Sequence, residues 1–191
     1  LNIEISTPEE ARNHPMLQGP QPCTWHNTHH PSSEFSNPLY PLCKVGSKDN
    51  DLRRNYSISF DDYNSMLAAQ SYGCALCGKT EAENGKKLAV DHWHGCSHQP
   101  TDKHKSCGRC IRALLCNTCN LKLTESWERQ LSSMNIWDVE RYGSEAVRQW
   151  NYLMRFYRRM QENIPPYGLD HFPTDDTSPD LYLAFREVVS A

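Results

Sequence analysis

The sequence predicts a small α+β protein in which two short strands and a helix are stapled by zinc, with flanking helices and extended N- and C-terminal segments. Three observations predict it. Cysteines fall in three close pairs, Cys74/Cys77, Cys107/Cys110 and Cys116/Cys119, and a two-residue gap lets two thiolates reach one tetrahedral zinc. Hydrophobic residues make up only 38% of 191, with 12 prolines and a mean hydropathy of −0.75, so burial alone is a thin source of stability. Short apolar runs at residues 87–91 and 111–115 read as strands, beside longer stretches of helical periodicity.

Taken in order, residues 1–22 carry Pro8, Pro15, Pro20 and Pro22 without sustained periodicity and read as an extended arm. Residues 23–58 hold Cys23, His26, His29, His30 and Cys43 and read as an irregular metal-held knuckle. The core is expected over 59–130. Its first helix spans 60–69, because Ser59 with Asp62 makes a capping box and Phe60, Tyr63, Met66 and Leu67 share a face. Gly73 stops it. The two strands follow, separated by a polar loop, and a further helix is expected from about Asn117, carrying Leu121 and Trp127 inward. Residues 131–191 form a C-terminal helix and an acidic tail. That helix runs from Ser144, read as its N-cap, to about Gln161 before Pro165 and Pro166. Ala146, Val147, Trp150, Leu153, Met154, Tyr157 and Met160 form its apolar face, and Arg148, Tyr152, Arg155 and Arg159 lie opposite.

Net charge is −3, which by itself disfavours a phosphate-rich partner. The average conceals a gradient. Residues 98–124 hold five basic residues against Asp102, residues 141–160 hold five arginines against Glu145, and residues 161–191 hold six acids against Arg186. The middle of the chain suits DNA, with Arg148, Arg155 and Arg159 as candidate phosphate contacts, and the tail does not. No apolar run is long enough to cross a bilayer, so no membrane partner is expected. Paired cysteines fit a reducing, cytoplasmic setting better than an oxidising one.

Cys74, Cys77, Cys116 and Cys119 have the spacing of a structural zinc site. Four thiolates leave no position for water, so chemistry must lie elsewhere. Two further sets have ligand character. Cys96, His98, Cys107 and Cys110, with His104 as a rival fourth ligand, suit a second zinc in the inter-strand loop. Cys23, His26, His30 (or His29) and Cys43 suit a third, although Gly46 stands where a second paired cysteine would be expected. One to three zinc ions are therefore expected. Between the cysteine pairs lies Leu88-Ala89-Val90-Asp91-His92-Trp93-His94. Strand alternation puts Asp91 and Trp93 on one face and His92 and His94 on the other.

Gly73-Cys74-Ala75-Leu76-Cys77-Gly78, Leu88 to His94, and Ile111-Arg112-Ala113-Leu114-Leu115-Cys116-Asn117-Thr118-Cys119-Asn120 occur in order. Together with residues 63–70 they resemble the recombination endonuclease VII family of His-Me finger, HNH-like nucleases. The resemblance implies a ββα-metal core and phosphodiester hydrolysis in branched or distorted DNA. It implies that Asp91 and Asn120 hold a catalytic magnesium, that His92 is the general base and that His94 positions the phosphate. A phage or bacterial genome-processing setting is implied, with a homodimer or other phage or bacterial proteins as partners. Two positions depart from the family pattern: Trp93 stands where a second acid is usual, and Leu123 where some members have a carboxylate. The alternatives are a catalytically weakened zinc-held module that binds DNA or protein, or a structural subunit of a larger phage assembly.

Overall fold

The computed structural model describes residues 7, 9, 13, 19–36, 42–94 and 106–171. The chain divides into two compact units, one within residues 1–54 and the other from residue 55 onward. In the first unit β1 (Gln21–Cys23) and β2 (Thr28–His30) form an antiparallel hairpin, followed by a 3-10 turn at Ser32–Glu34. The helix α1 (Lys44–Tyr56) carries the junction between the units. It corrects the reading of 23–58 as wholly irregular. Its inward face is Gly46, Asp49 and Leu52, so the helical period is present but only Leu52 marks it with an apolar side chain.

The second unit begins with α2 (Phe60–Ala69), whose Ser59 and Asp62 form the expected reciprocal capping box. Tyr63, Met66 and Leu67 are its buried face. A short helix α3 (Glu81–Asn84) has a second capping box, from Thr80 and Glu83. The central hairpin pairs β3 (Ala89–His92) with β4 (Ile111–Leu115), antiparallel. β3 starts two residues later than expected because the Leu88 carbonyl accepts a hydrogen bond from the buried Tyr63 hydroxyl and stands outside the ladder. Every residue of β4 is buried.

The helix expected from Asn117 is two helices, α4 (Asn117–Lys122) and α5 (Glu125–Ser132). Thr124 caps the second through its hydroxyl, which accepts from the Trp127 amide. The break corrects the placement of Leu121, which is 68% exposed, whereas Leu123 is buried. Trp127 is half-buried and donates to Gln149. After α6 (Ile136–Glu140) comes α7 (Ser144–Gln161), capped by Gly143 at φ 90° without a side-chain bond. Ser144 is thus the first helical residue and not the cap.

The buried face of α7 is Ala146, Gln149, Leu153, Phe156, Tyr157 and Arg159. Val147, Trp150, Met154 and Met160 are only half-buried, so the helix is rotated from the expected stripe toward Phe156. This rotation corrects the role of Arg159, whose Nη2 donates to the Arg109 and Ile111 carbonyls at 3.2 and 2.6 Å. The guanidinium also lies over the Phe156 ring, and burial pushes it down to about 10. It satisfies backbone acceptors at the edge of the hairpin and is not available to phosphate. Arg148 and Arg155 are exposed. Among the described residues no helix is long and apolar enough to cross a membrane.

Candidate active site and metal centres

The first cysteine pair sits in a tight turn. The Gly78 amide donates to the Cys74 carbonyl at 2.8 Å and the Cys74 amide to the Lys79 carbonyl at 2.9 Å. A Cβ at Gly73 would lie 2.4 Å from the Gly78 carbonyl oxygen, so only glycine fits there. Gln70 fastens this turn to the hairpin, its side-chain amide exchanging hydrogen bonds with Leu114 N and O and also donating to the Gly73 carbonyl. The second pair lies where β4 turns into α4, with Cys116 at the N-cap and its Sγ accepting from the Cys119 amide.

The four sulfurs, of Cys74, Cys77, Cys116 and Cys119, all lie within 4.8 Å of one another. Tetrahedral zinc with bonds of about 2.3 Å sets its sulfurs about 3.8 Å apart, and Cys77 and Cys116 stand at 3.7 Å. The donor set fits a zinc ion.

In the first unit Cys23, His26, His30 and Cys43 form a second such group. His26 Nδ1 is 3.5 Å from the Cys23 sulfur and 3.3 Å from the Cys43 sulfur. His30 Nδ1 is bonded to Glu34 at 2.8 Å, and its buried Nε2 has no hydrogen-bond partner among the described residues. A carboxylate on one ring nitrogen with the other left bare is the usual arrangement of a metal-binding histidine. This group could hold a metal ion through His30. A Cβ at Gly46 would come 3.0 Å from Trp25 Cβ and 3.4 Å from the Cys23 sulfur, which explains glycine after Cys43. In the inter-strand loop the Cys107 and Cys110 sulfurs are 3.7 Å apart. Cys96, His98 and His104 lie outside the described residues.

The hairpin's end is where the polar groups gather. Ladder register shifts between Asp91 and His92, which pair with Ala113 and Ile111, so Arg112 is the extra residue of a bulge. Bulges re-aim side chains, and here the side chain turns onto Asp91: Arg112 Nε and Nη2 donate to the two carboxylate oxygens at 2.7 and 3.1 Å. Nη2 also donates to the His92 carbonyl at 3.0 Å. On the other side Arg112 Nη1 stands 2.6 Å from Glu128 of α5, a charge contact without hydrogen-bond alignment. Tyr152 of α7 donates its hydroxyl to Asp91 Oδ2 at 2.5 Å.

Burial lowers a guanidinium, yet the Asp91 and Glu128 charges outweigh it and hold Arg112 above its usual value. Burial and then Asp91 raise Tyr152 well above the ordinary phenol value, so it keeps its proton and donates. Asp91 is 5% and His92 6% exposed. The His92 ring is stacked on His94 with centroids 4.6 Å apart and edge-on to Tyr56. Its Nε2 is buried without a hydrogen-bond partner among the described residues, and burial, helped by His94 and opposed by Asp91, lowers its basicity.

His94 is exposed and Asn120, on α4, is half-exposed; α4 packs against β3. Both departures from the expected pattern are core positions. Trp93 is buried against Phe156, and Leu123 is buried as well, so neither place has room for a solvated acid. Sequence reasoning missed Arg112, Glu128 and Tyr152. A basic residue inside an otherwise apolar buried strand was the available signal.

The deciding comparison is a match of the family model for recombination endonuclease VII to residues 49–150, more than half the chain. The chain belongs to the recombination endonuclease VII family. No curated protein and no solved structure matches it. The endonuclease VII match takes in the Cys74/Cys77/Cys116/Cys119 group, the hairpin with Asp91 and His92, and Asn120. It indicates a nuclease that acts on DNA. The Cys23/His26/His30/Cys43 group and Tyr152 lie outside the matched residues.

Proposed function

We propose that this endonuclease VII relative is a metal-dependent DNA endonuclease that hydrolyses phosphodiester bonds in branched or otherwise distorted DNA, leaving a 5′ phosphate. The observation that carries the reading is the buried His92 with an unpartnered Nε2, one residue from a buried carboxylate, on a hairpin braced by four cysteines.

In this reading Asp91 and Asn120 hold magnesium through oxygen atoms. When bound, the ion stabilises charge developing on the scissile phosphate. His92 takes the proton from the attacking water through Nε2, a role that suits a neutral imidazole. His94, exposed and stacked on His92, orients the phosphate. Cys74, Cys77, Cys116 and Cys119 hold structural zinc, Cys23, His26, His30 and Cys43 hold another, and Cys107 and Cys110 with Cys96 and His98 hold a third.

Arg148 and Arg155 remain the candidate phosphate contacts. Changing both to Gln is expected to flatten the salt dependence of DNA binding by up to about two counterions, with stability unchanged. An unaltered slope, measured by titration at several salt concentrations, returns both to a solvated surface. The reading as a whole is tested with linear, nicked and four-way DNA in magnesium. Preferred cleavage of the four-way substrate supports it, and equal rates on all three remove branch preference. A rival reading, a zinc-held binding module with a weakened centre, draws on one observation, the occupation of Asp91 by Arg112. Binding without cleavage of any substrate would favour it.

A further inference from the structure

The four hydrogen-bond sites of the Asp91 carboxylate are unevenly used. A carboxylate offers about four lone-pair sites, two on each oxygen. Oδ2 accepts from both Arg112 Nε and the Tyr152 hydroxyl, which fills it. Oδ1 accepts, among the described residues, from Arg112 Nη2 alone. Among the described residues one site, on Oδ1, is left.

The surroundings point the same way. Asp91 is buried, and an unmet site on a charged carboxylate in a region poor in water is costly unless a further partner shares it.

We propose that Tyr152 is a positioning residue for the catalytic ion: with Arg112 it commits Oδ2 and leaves Oδ1 as the side of the carboxylate offered to the metal. The inference rests on the assignment of Asp91 as a metal ligand and adds what orients it. Tyr152 stands on α7, so the C-terminal helix is part of the metal site and not only a support for the hairpin. Glu128 of α5 stands against the other side of the same guanidinium. Hydrogen-bond partners of metal ligands of this kind typically change metal affinity or activity by about 10- to 100-fold when removed.

The test is manganese binding to the zinc-loaded full chain, followed by electron paramagnetic resonance, in the parent, Tyr152→Phe and Asp91→Ala. Tyr152→Phe keeps the ring and removes the donor. Its manganese affinity is expected to fall by about tenfold or more, while zinc content stays at the parental level and cleavage recovers at saturating metal. A purely structural ring predicts no change, and parental affinity in Tyr152→Phe overturns the inference. Parental affinity in Asp91→Ala overturns instead the ligand assignment beneath it. A measurement on the unmutated chain is independent of variant folding: the Tyr152 carbon signals of 13C-tyrosine-labelled protein should move as magnesium is added. Signals that stay fixed through saturation contradict the proposal.

Discussion

Replacing His92 with alanine is expected to lower single-turnover DNA cleavage by roughly two to four orders of magnitude, the usual contribution of a positioned acid–base group. Zinc content and DNA affinity should remain near the parental values. The separation follows from where the residue stands. Among the described residues His92 belongs to neither cysteine-containing cluster and its Nε2 bonds to nothing, so its loss removes no hydrogen bond there. Asp91→Asn should behave differently, weakening the requirement-setting ion so that higher magnesium recovers part of the rate. Asn120→Ala should resemble Asp91→Asn. Cleavage by His92→Ala at the parental rate, with binding measured separately in calcium, would remove the general-base assignment.

The second large effect is structural. Cys116→Ser is expected to abolish cooperative unfolding of the second unit. Cys116 is at once a member of the four-sulfur group, the N-cap of α4 and the residue directly after β4. Structural zinc contributes about 10–16 kcal/mol in zinc-finger peptides, as much as the whole net stability of a typical domain, roughly 5–15 kcal/mol. The described hairpin has only two strands, and an isolated two-stranded hairpin is marginal in water. Cys43→Ser, in the first unit, should leave that transition in place. Thermal unfolding with metal analysis of each variant checks both, and protein purified without chelator but free of zinc would contradict this account of the fold.

Much of this arrangement was legible because it is written in local rules. The capping box at Ser59 and Asp62 fixed the start of α2, and an apolar run marked β4. The paired cysteines drew together the segments on either side of the hairpin. Other parts were hidden for physical reasons. The inward face of α1 is a glycine, an aspartate and one leucine, so hydrophobic periodicity had nothing to register. α4 and α5 are separated by only two residues, and Thr124, the N-cap of α5, marks the break between them.

The arginines misled for another reason. Arg148, Arg155 and Arg159 look alike on a helical wheel. Arg159 alone meets the Arg109 and Ile111 carbonyls at the hairpin edge, and its aliphatic stem can be buried while its head is satisfied. Tyr152 lies on the same side of the wheel as these arginines, and its partner Asp91 is 61 residues away. Roles created by tertiary contact leave no trace in spacing. The family resemblance points to Asp91 but not to Arg112 and Tyr152, which hold it.

The most direct test of the central claim is nicking of supercoiled plasmid by zinc-loaded parent protein, with and without added magnesium. Omission of magnesium is preferable to a chelator, because a chelator would also strip the cysteine sites and confuse unfolding with loss of chemistry. The His92→Ala protein, purified in the same way, controls for contaminating nuclease. The account predicts nicks that appear only with magnesium and at a rate at least about a hundredfold above that of His92→Ala. Plasmid left intact by a folded, zinc-loaded parent at every magnesium concentration would contradict it.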